Sequence, residues 1–159
     1  MKTLNQLIRE YTSQLQHGEI QVAYKGILEF MGKLRAAFIK KYPHNGIGSV
    51  YQGYMDMTYF SYVTEPLKTK GLKIAVVYLH EKCAFEVWLS ARNRDIAKEY
   101  ESLISRISDD ITVFHDDANP DAIIEYTLTS TPNFEDQALL MEIIDRGVQQ
   151  FVGALSRHL

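Results

Sequence analysis

The chain reads as an α+β fold, a mainly antiparallel sheet packed with helices. Three observations predict it. Apolar residues recur at helical spacing near both ends, the middle of the chain changes to an extended pattern rich in aromatic and β-branched residues, and two of the middle segments flank a connection short enough for a hairpin. The expected order is α-α-β-β-β-α-β-α, as one globular domain over residues 1–159.

The first helix begins at a capping box made by Thr3 and Gln6. Leu4, Leu7, Ile8, Tyr11 and Leu15 then recur on one face until Gly18 supplies a stop. A longer helix starts near Glu19, with Ile20, Tyr24, Ile27, Phe30, Met31, Leu34 and Phe38 as its stripe, and Pro43 prevents it from continuing. Two antiparallel helices across a tight turn follow from this. The run HNGIG, residues 44–48, is turn-rich, and after it the periodicity becomes extended.

Three strands come next. The first lies in YMDMTYFSYV, residues 54–63; TEPLKTKG is a loop punctuated by Pro66 and Gly71; LKIAVVYLH and AFEVWLS then flank Glu81, Lys82 and Cys83 as a β-hairpin. Asn93 caps a third helix carrying Ile96, Tyr100, Leu103, Ile104 and Ile107. SDDITVFHDDANPD is mostly loop, with a short extended piece at Ile111–Phe114, and AIIEYTLTS, residues 122–130, is a further strand. Asn133 caps the last helix, which turns Leu140, Ile143, Ile144, Gly147, Phe151 and Leu155 inward.

Composition narrows the function classes. A chain of 159 residues that is 46% hydrophobic can bury one substantial core. Its 17 basic and 20 acidic residues leave a net charge of -3, so no overall field holds nucleic acid or an anionic membrane. Lys33, Arg35, Lys40 and Lys41 on the second helix have no exposed aromatics interleaved with them, which argues against nucleic acid. Cys83 is the single cysteine, which excludes an intramolecular disulfide framework and fits a reducing cytoplasm. The N-terminus has no continuous apolar run for a signal peptide, and no later segment approaches membrane-spanning length. The expectation is a cytoplasmic protein with no membrane contact.

The hairpin suggests where a site would lie. Pairing Tyr78 with Glu86 and Val76 with Trp88 gathers Ala75, Val77, Leu79, Phe85, Val87 and Leu89 on one wholly apolar face, the core. The other face then holds Ile74, Val76, Tyr78, His80, Glu86, Trp88 and Ser90, a mixture suited to a ligand platform or protein interface. The ordinary alternative is that helices cover it and a base pairs with Glu86.

The candidate chemistry is sparse. His80, Glu81 and Cys83 sit in a turn where side chains diverge, so no metal site is expected. Asp116, Asp117, Asn119 and Asp121 lack the central glycine and terminal glutamate of an EF-hand loop. No nucleotide-binding loop, nucleophile elbow or zinc-protease motif appears, and no cofactor is expected. Arg92 and Arg94, beside the start of the third helix, could hold an anion with its free N–H groups; the plainer reading is that Asp95 and Glu99 neutralise them. An enzyme acting on an anionic or phosphorylated substrate would use Glu86 or Asp56 as acid or base and Arg92 and Arg94 as clamp. Arg92 lies six residues past Glu86, about 20 Å along an extended strand, so that constellation needs a bend at Ser90 and Ala91.

The order of a helix, three strands, a helix and a strand is similar to the core of restriction-endonuclease-like nucleases. Those need an acid on the second strand and acid-x-lysine on the third, and here KIAVVYLH has no carboxylate while Glu86-Val87-Trp88 puts tryptophan in the lysine position. That resemblance implies at most a degenerate fold without nuclease activity. The runs LNQLIREYTSQLQHGEIQVAYKGI, GYMDMTYF, LKIAVVYLH and FEVWLSARNR resemble a family of small bacterial proteins known only as a domain of unknown function. The resemblance implies a compact bacterial protein and nothing chemical.

The residues thus point first to a non-enzymatic binding or interaction module, self-associating or holding a small molecule or protein. Asp56, Tyr78, Glu86, Trp88, Arg92 and Arg94 are the candidate binding residues, with neither a catalytic nor a metal assignment.

Overall fold

The computed structural model describes residues 1–159. A helical hairpin opens the chain, α1 (Leu4–His17) and α2 (Glu19–Lys41). Thr3 and Gln6 form both halves of the capping box, and Gly18 adopts φ 79°, a left-handed turn that ends one helix and starts the next. The strands are β1 (Gly46–Ile47), β2 (Met57–Val63), β3 (Leu72–Leu79), β4 (Ala84–Ala91) and β5 (Ile124–Thr129). Between β2 and β3 lies α3 (Glu65–Thr69); α4 (Arg94–Glu99) and α5 (Leu103–Ile107) separate β4 from β5; α6 (Gln137–His158) closes the chain.

The α+β class and its order hold, with four local corrections. HNGIG contributes the two-residue β1, paired with Tyr62 and Val63. TEPLKTKG is not all loop, because Pro66 falls in the first turn of α3, where a missing N–H breaks no helical bond. The third helix is two pieces: Ile96 on the first is half-buried against Gly71 and the edge of the main core, and Leu103 and Ile107 on the second are fully buried in that core. The last helix is capped by Asp136, whose carboxylate accepts the Leu139 N–H at 3.2 Å; Asn133 instead accepts from Glu135 in the preceding turn.

The sheet order is β1-β2-β3-β4-β5 and every pair is antiparallel. One face carries Phe60, Tyr62, Ile74, Val76, Tyr78, Phe85, Val87, Leu89 and Ile124 into a single core with Phe30, Met31, Leu34 and Phe38 of α2 and Leu140, Ile144, Val148, Phe151 and Leu155 of α6. The two helices are also tied to each other, since the Tyr42 hydroxyl donates to Asp145 at 2.6 Å and Lys41 pairs with the same carboxylate. The opposite face of the sheet holds only a small apolar cluster of Val77, Trp88 and Ala122.

Candidate ligand-binding cavity

The observed register moves the predicted residues. Tyr78 faces Phe85, Val77 faces Glu86, Val76 faces Val87 and Ala75 faces Trp88, one residue away from the expected Tyr78–Glu86 pairing. The connection has four residues, His80–Cys83, because β3 ends at Leu79 and Cys83 closes the turn at φ 51°. One extra loop residue exchanges the faces of one strand relative to the other. Ala75, Val77 and Leu79 therefore leave the main core, and Ile74, Val76 and Tyr78 enter it. Tyr78 packs between Phe85 and Phe134, with ring centroids at 4.8 and 5.8 Å, on the face opposite Glu86 and Trp88.

Glu86 and Trp88 do share a face, and they bond to each other. The indole N–H donates to the Glu86 carboxylate at 2.9 Å, and Lys82 supplies the base at 3.5 Å. Beside them on β5, Glu125 accepts the Asp116 N–H at 2.6 Å and the Asn119 amide at 3.0 Å. Two buried carboxylates are thereby satisfied, as buried charge requires. Asp116 and Asn119 serve to staple the acidic loop to the sheet.

No long helix crosses this face. A cavity of about 350 Å³ opens over its far end, floored by Tyr59, Ala75 and Trp88 from β2, β3 and β4. Its walls are Asn93, Arg94 and Ala97 at the start of α4 and the segment Pro120–Ile123 before β5. That segment is held against β4 by the Ser90 hydroxyl donating to the Asp121 carbonyl at 2.5 Å and the Ile123 N–H donating to the Leu89 carbonyl at 2.7 Å. The charged groups in the lining are Lys73, Arg94 and Asp121. Neither Lys73 nor Arg94 belongs to any ion pair of the chain. The lining thus combines apolar area with two free cations, the Ser61 and Ser90 hydroxyls and one amide.

Of the six predicted residues, the cavity brings together Trp88 and Arg94. Glu86 lies beneath the same face outside the lining, and Tyr78 lies in the core. Arg92 is exposed, with its backbone N–H on the Gly71 carbonyl at 2.8 Å. The expected neutralisation of Arg92 and Arg94 by Asp95 and Glu99 does not occur, and the Asn93 side chain caps α4 by accepting the Ile96 N–H at 2.9 Å. Ser90 and Ala91 stay paired with Lys73 and Leu72, so β4 has no bend there to bring Glu86 to the arginines. Asp56 stands at the other end of the sheet, next to the Met57–Leu79 pair, about 24 Å of strand from Arg92. Its carboxylate is held below its ordinary pKa chiefly by the Tyr54 N–H, at 2.9 Å.

The His80 ring reaches Thr58, with its Nε2 at 2.8 Å from the hydroxyl. Thr58 donates its own proton to the Gln52 carbonyl, so Nε2 is the donor. Burial lowers the His80 pKa, against an opposing pull from Asp56. No group of three or more His, Cys, Asp and Glu is arranged to hold a metal ion, and no helix is long and apolar enough to cross a membrane.

A family model described as a domain of unknown function (DUF7000) matches residues 4–159. The chain belongs to this family. The DUF7000 match spans the helical hairpin, the sheet and the cavity alike. No curated protein and no solved structure matches the chain.

The residues that sequence reasoning missed are Lys73, Tyr59 and the Pro120–Ile123 wall. Lys73 carried a usable signal, because alternation puts it on the face of Ala75, Val77 and Leu79, and a lysine there marks that face as open. The wall had none, since it reaches the cavity only through the β4–β5 pairing.

Proposed function

We propose that this DUF7000 chain is a non-enzymatic binding module that takes a small anionic molecule into the cavity over the open sheet face. The carrying observation is the pair of unpaired cations, Lys73 and Arg94, at a cavity of about 350 Å³ floored by Trp88. That volume falls within the range of small-molecule sites, and a few placed polar groups in an apolar lining are their usual design. Arg94 offers a planar fork for a carboxylate or phosphate and Lys73 a mobile point charge. The lining has hydroxyls but neither histidine nor cysteine to activate them, and Asp121 is its one carboxylate, which favours holding a ligand over transforming it. An exposed lone thiol at Cys83 suits a reducing compartment, so we place the protein in the bacterial cytoplasm.

Trp88 is the only tryptophan, so its emission reports on the cavity directly. The test is a fluorescence and thermal-shift titration against small carboxylates and phosphorylated metabolites. A ligand at a hundredfold its dissociation constant adds about 2.7 kcal/mol of stability. Lys73→Met and Arg94→Met are each expected to weaken it about tenfold or more, the loss of one charge-assisted contact. The reading fails if no anion moves the emission or the melt, or if the double variant binds as the wild type does.

A further inference from the structure

The first helix carries an apolar stripe that nothing in the fold covers. Leu4, Leu7, Ile8 and Tyr11 are 71, 49, 48 and 59% exposed, and α1 contributes no buried residue although its cap and stop are complete. A helix of 14 residues is marginal in water on propensity alone, and packing of its apolar face normally sustains it. We propose that this stripe is the contact surface of a homodimer, with α1 of one copy lying antiparallel against α1 of a second.

The stripe itself argues for a second copy as the occupant. Leu4, Ile8, Tyr11 and Leu15 are spaced by four, three and four residues, the seam of a heptad, and the spacing reads the same from either end. A two-fold axis midway between Ile8 and Tyr11 sets Leu4 of one copy against Leu15 of the other and Ile8 against Tyr11, as an isologous contact requires. At 100° per residue Arg9 and Glu10 turn away from the seam, so no charge is buried. The antiparallel arrangement also opposes the helix dipoles, and Lys2 stays paired with Glu10 of its own copy.

The area is sufficient for a modest dimer. Taking roughly 150–200 Å² for each large side chain in the open, the four residues present on the order of 350–450 Å² per copy. A homodimer interface about two-thirds apolar then buries roughly 1,000–1,400 Å² in total, above the ~1,000 Å² that a specific contact needs.

Sedimentation equilibrium of the full chain from about 1 to about 500 µM tests this, since a small interface associates within that range. The mass is expected to rise from 18.3 kDa to twice that value. Ile8→Glu with Tyr11→Glu sets like charges against each other at the two-fold axis and is expected to hold the mass at 18.3 kDa throughout, with the circular dichroism spectrum of the dilute wild-type monomer. Ile8→Ser, which adds no charge, is expected to weaken association about tenfold or more. Val22→Glu, at a position 73% exposed and outside the seam, is expected to leave the dimer intact. A wild-type chain that stays monomeric at the top of the range overturns the proposal, whatever other protein binds the stripe. So does a dimer that survives the double substitution.

Discussion

Glu125 staples the acidic loop that leads into the cavity wall, and removing its carboxylate should loosen that loop without dissolving the sheet. Its side chain is 2% exposed and accepts the Asp116 N–H at 2.6 Å and the Asn119 amide at 3.0 Å. A hydrogen bond to a charged group contributes about 1.5–3 kcal/mol, but the exposed Asp116 and half-buried Asn119 regain water when released, so about 1–2 kcal/mol each is the net expectation. Glu125→Ala should therefore cost about 2–4 kcal/mol, and Glu125→Gln, which keeps one acceptor oxygen, about 1–2 kcal/mol. For a chain of this size that corresponds to roughly 4–16 °C and 2–8 °C of melting temperature. The Phe114–Glu125 backbone bridge does not depend on the side chain and should persist. Urea unfolding measures the cost, and amide exchange should show faster exchange at Asp116–Asn119 while β4 stays protected. An alanine variant within about 0.5 kcal/mol of wild type, or one that loses protection along β4 as well, refutes the account of Glu125 as a staple.

Two further perturbations follow from the same structure. The pKa of His80 is lowered by burial below its ordinary 6.5, so the unfolded chain binds this proton more readily and stability should decline as pH falls from 6.5 towards the folded value; His80→Gln should flatten that part of a urea-midpoint profile, and an unchanged slope counts against it. Tyr42→Phe removes a 2.6 Å hydrogen bond to Asp145, a carboxylate only 17% exposed that Lys41 also serves, and should cost about 1–2 kcal/mol by chemical denaturation, whereas Lys41→Met should cost under about 0.5 kcal/mol; equal costs would mean that the ion pair, not the phenol, joins α2 to α6.

The sequence was most legible where the cause is local. Thr3 and Gln6, three residues apart, dictate the start of α1, and Gly18 its end, because a cap is satisfied within one turn. The stripe of α2 was equally plain, and its Phe30, Met31, Leu34 and Phe38 are the buried ones. Errors began where the number of residues in a loop mattered. A hairpin of three or four residues differs by one position, and that position moved Tyr78 from the expected site into the core while Glu86 and Trp88 stayed together, since residues two apart on one strand share a face in any register.

The sequence alone determined the α+β class, the element order, the apolar stripe of α1 and the shared face of Glu86 and Trp88, all consequences of spacing within a single segment. Only the tertiary structure decided which sheet face lies under the helices, that Lys73, Arg94 and Trp88 meet at one cavity, and that the α1 stripe remains uncovered. Each of these depends on segments far apart in the chain, as when Pro120–Ile123 and Lys73 line one cavity, and periodicity within one element carries no information about its partner.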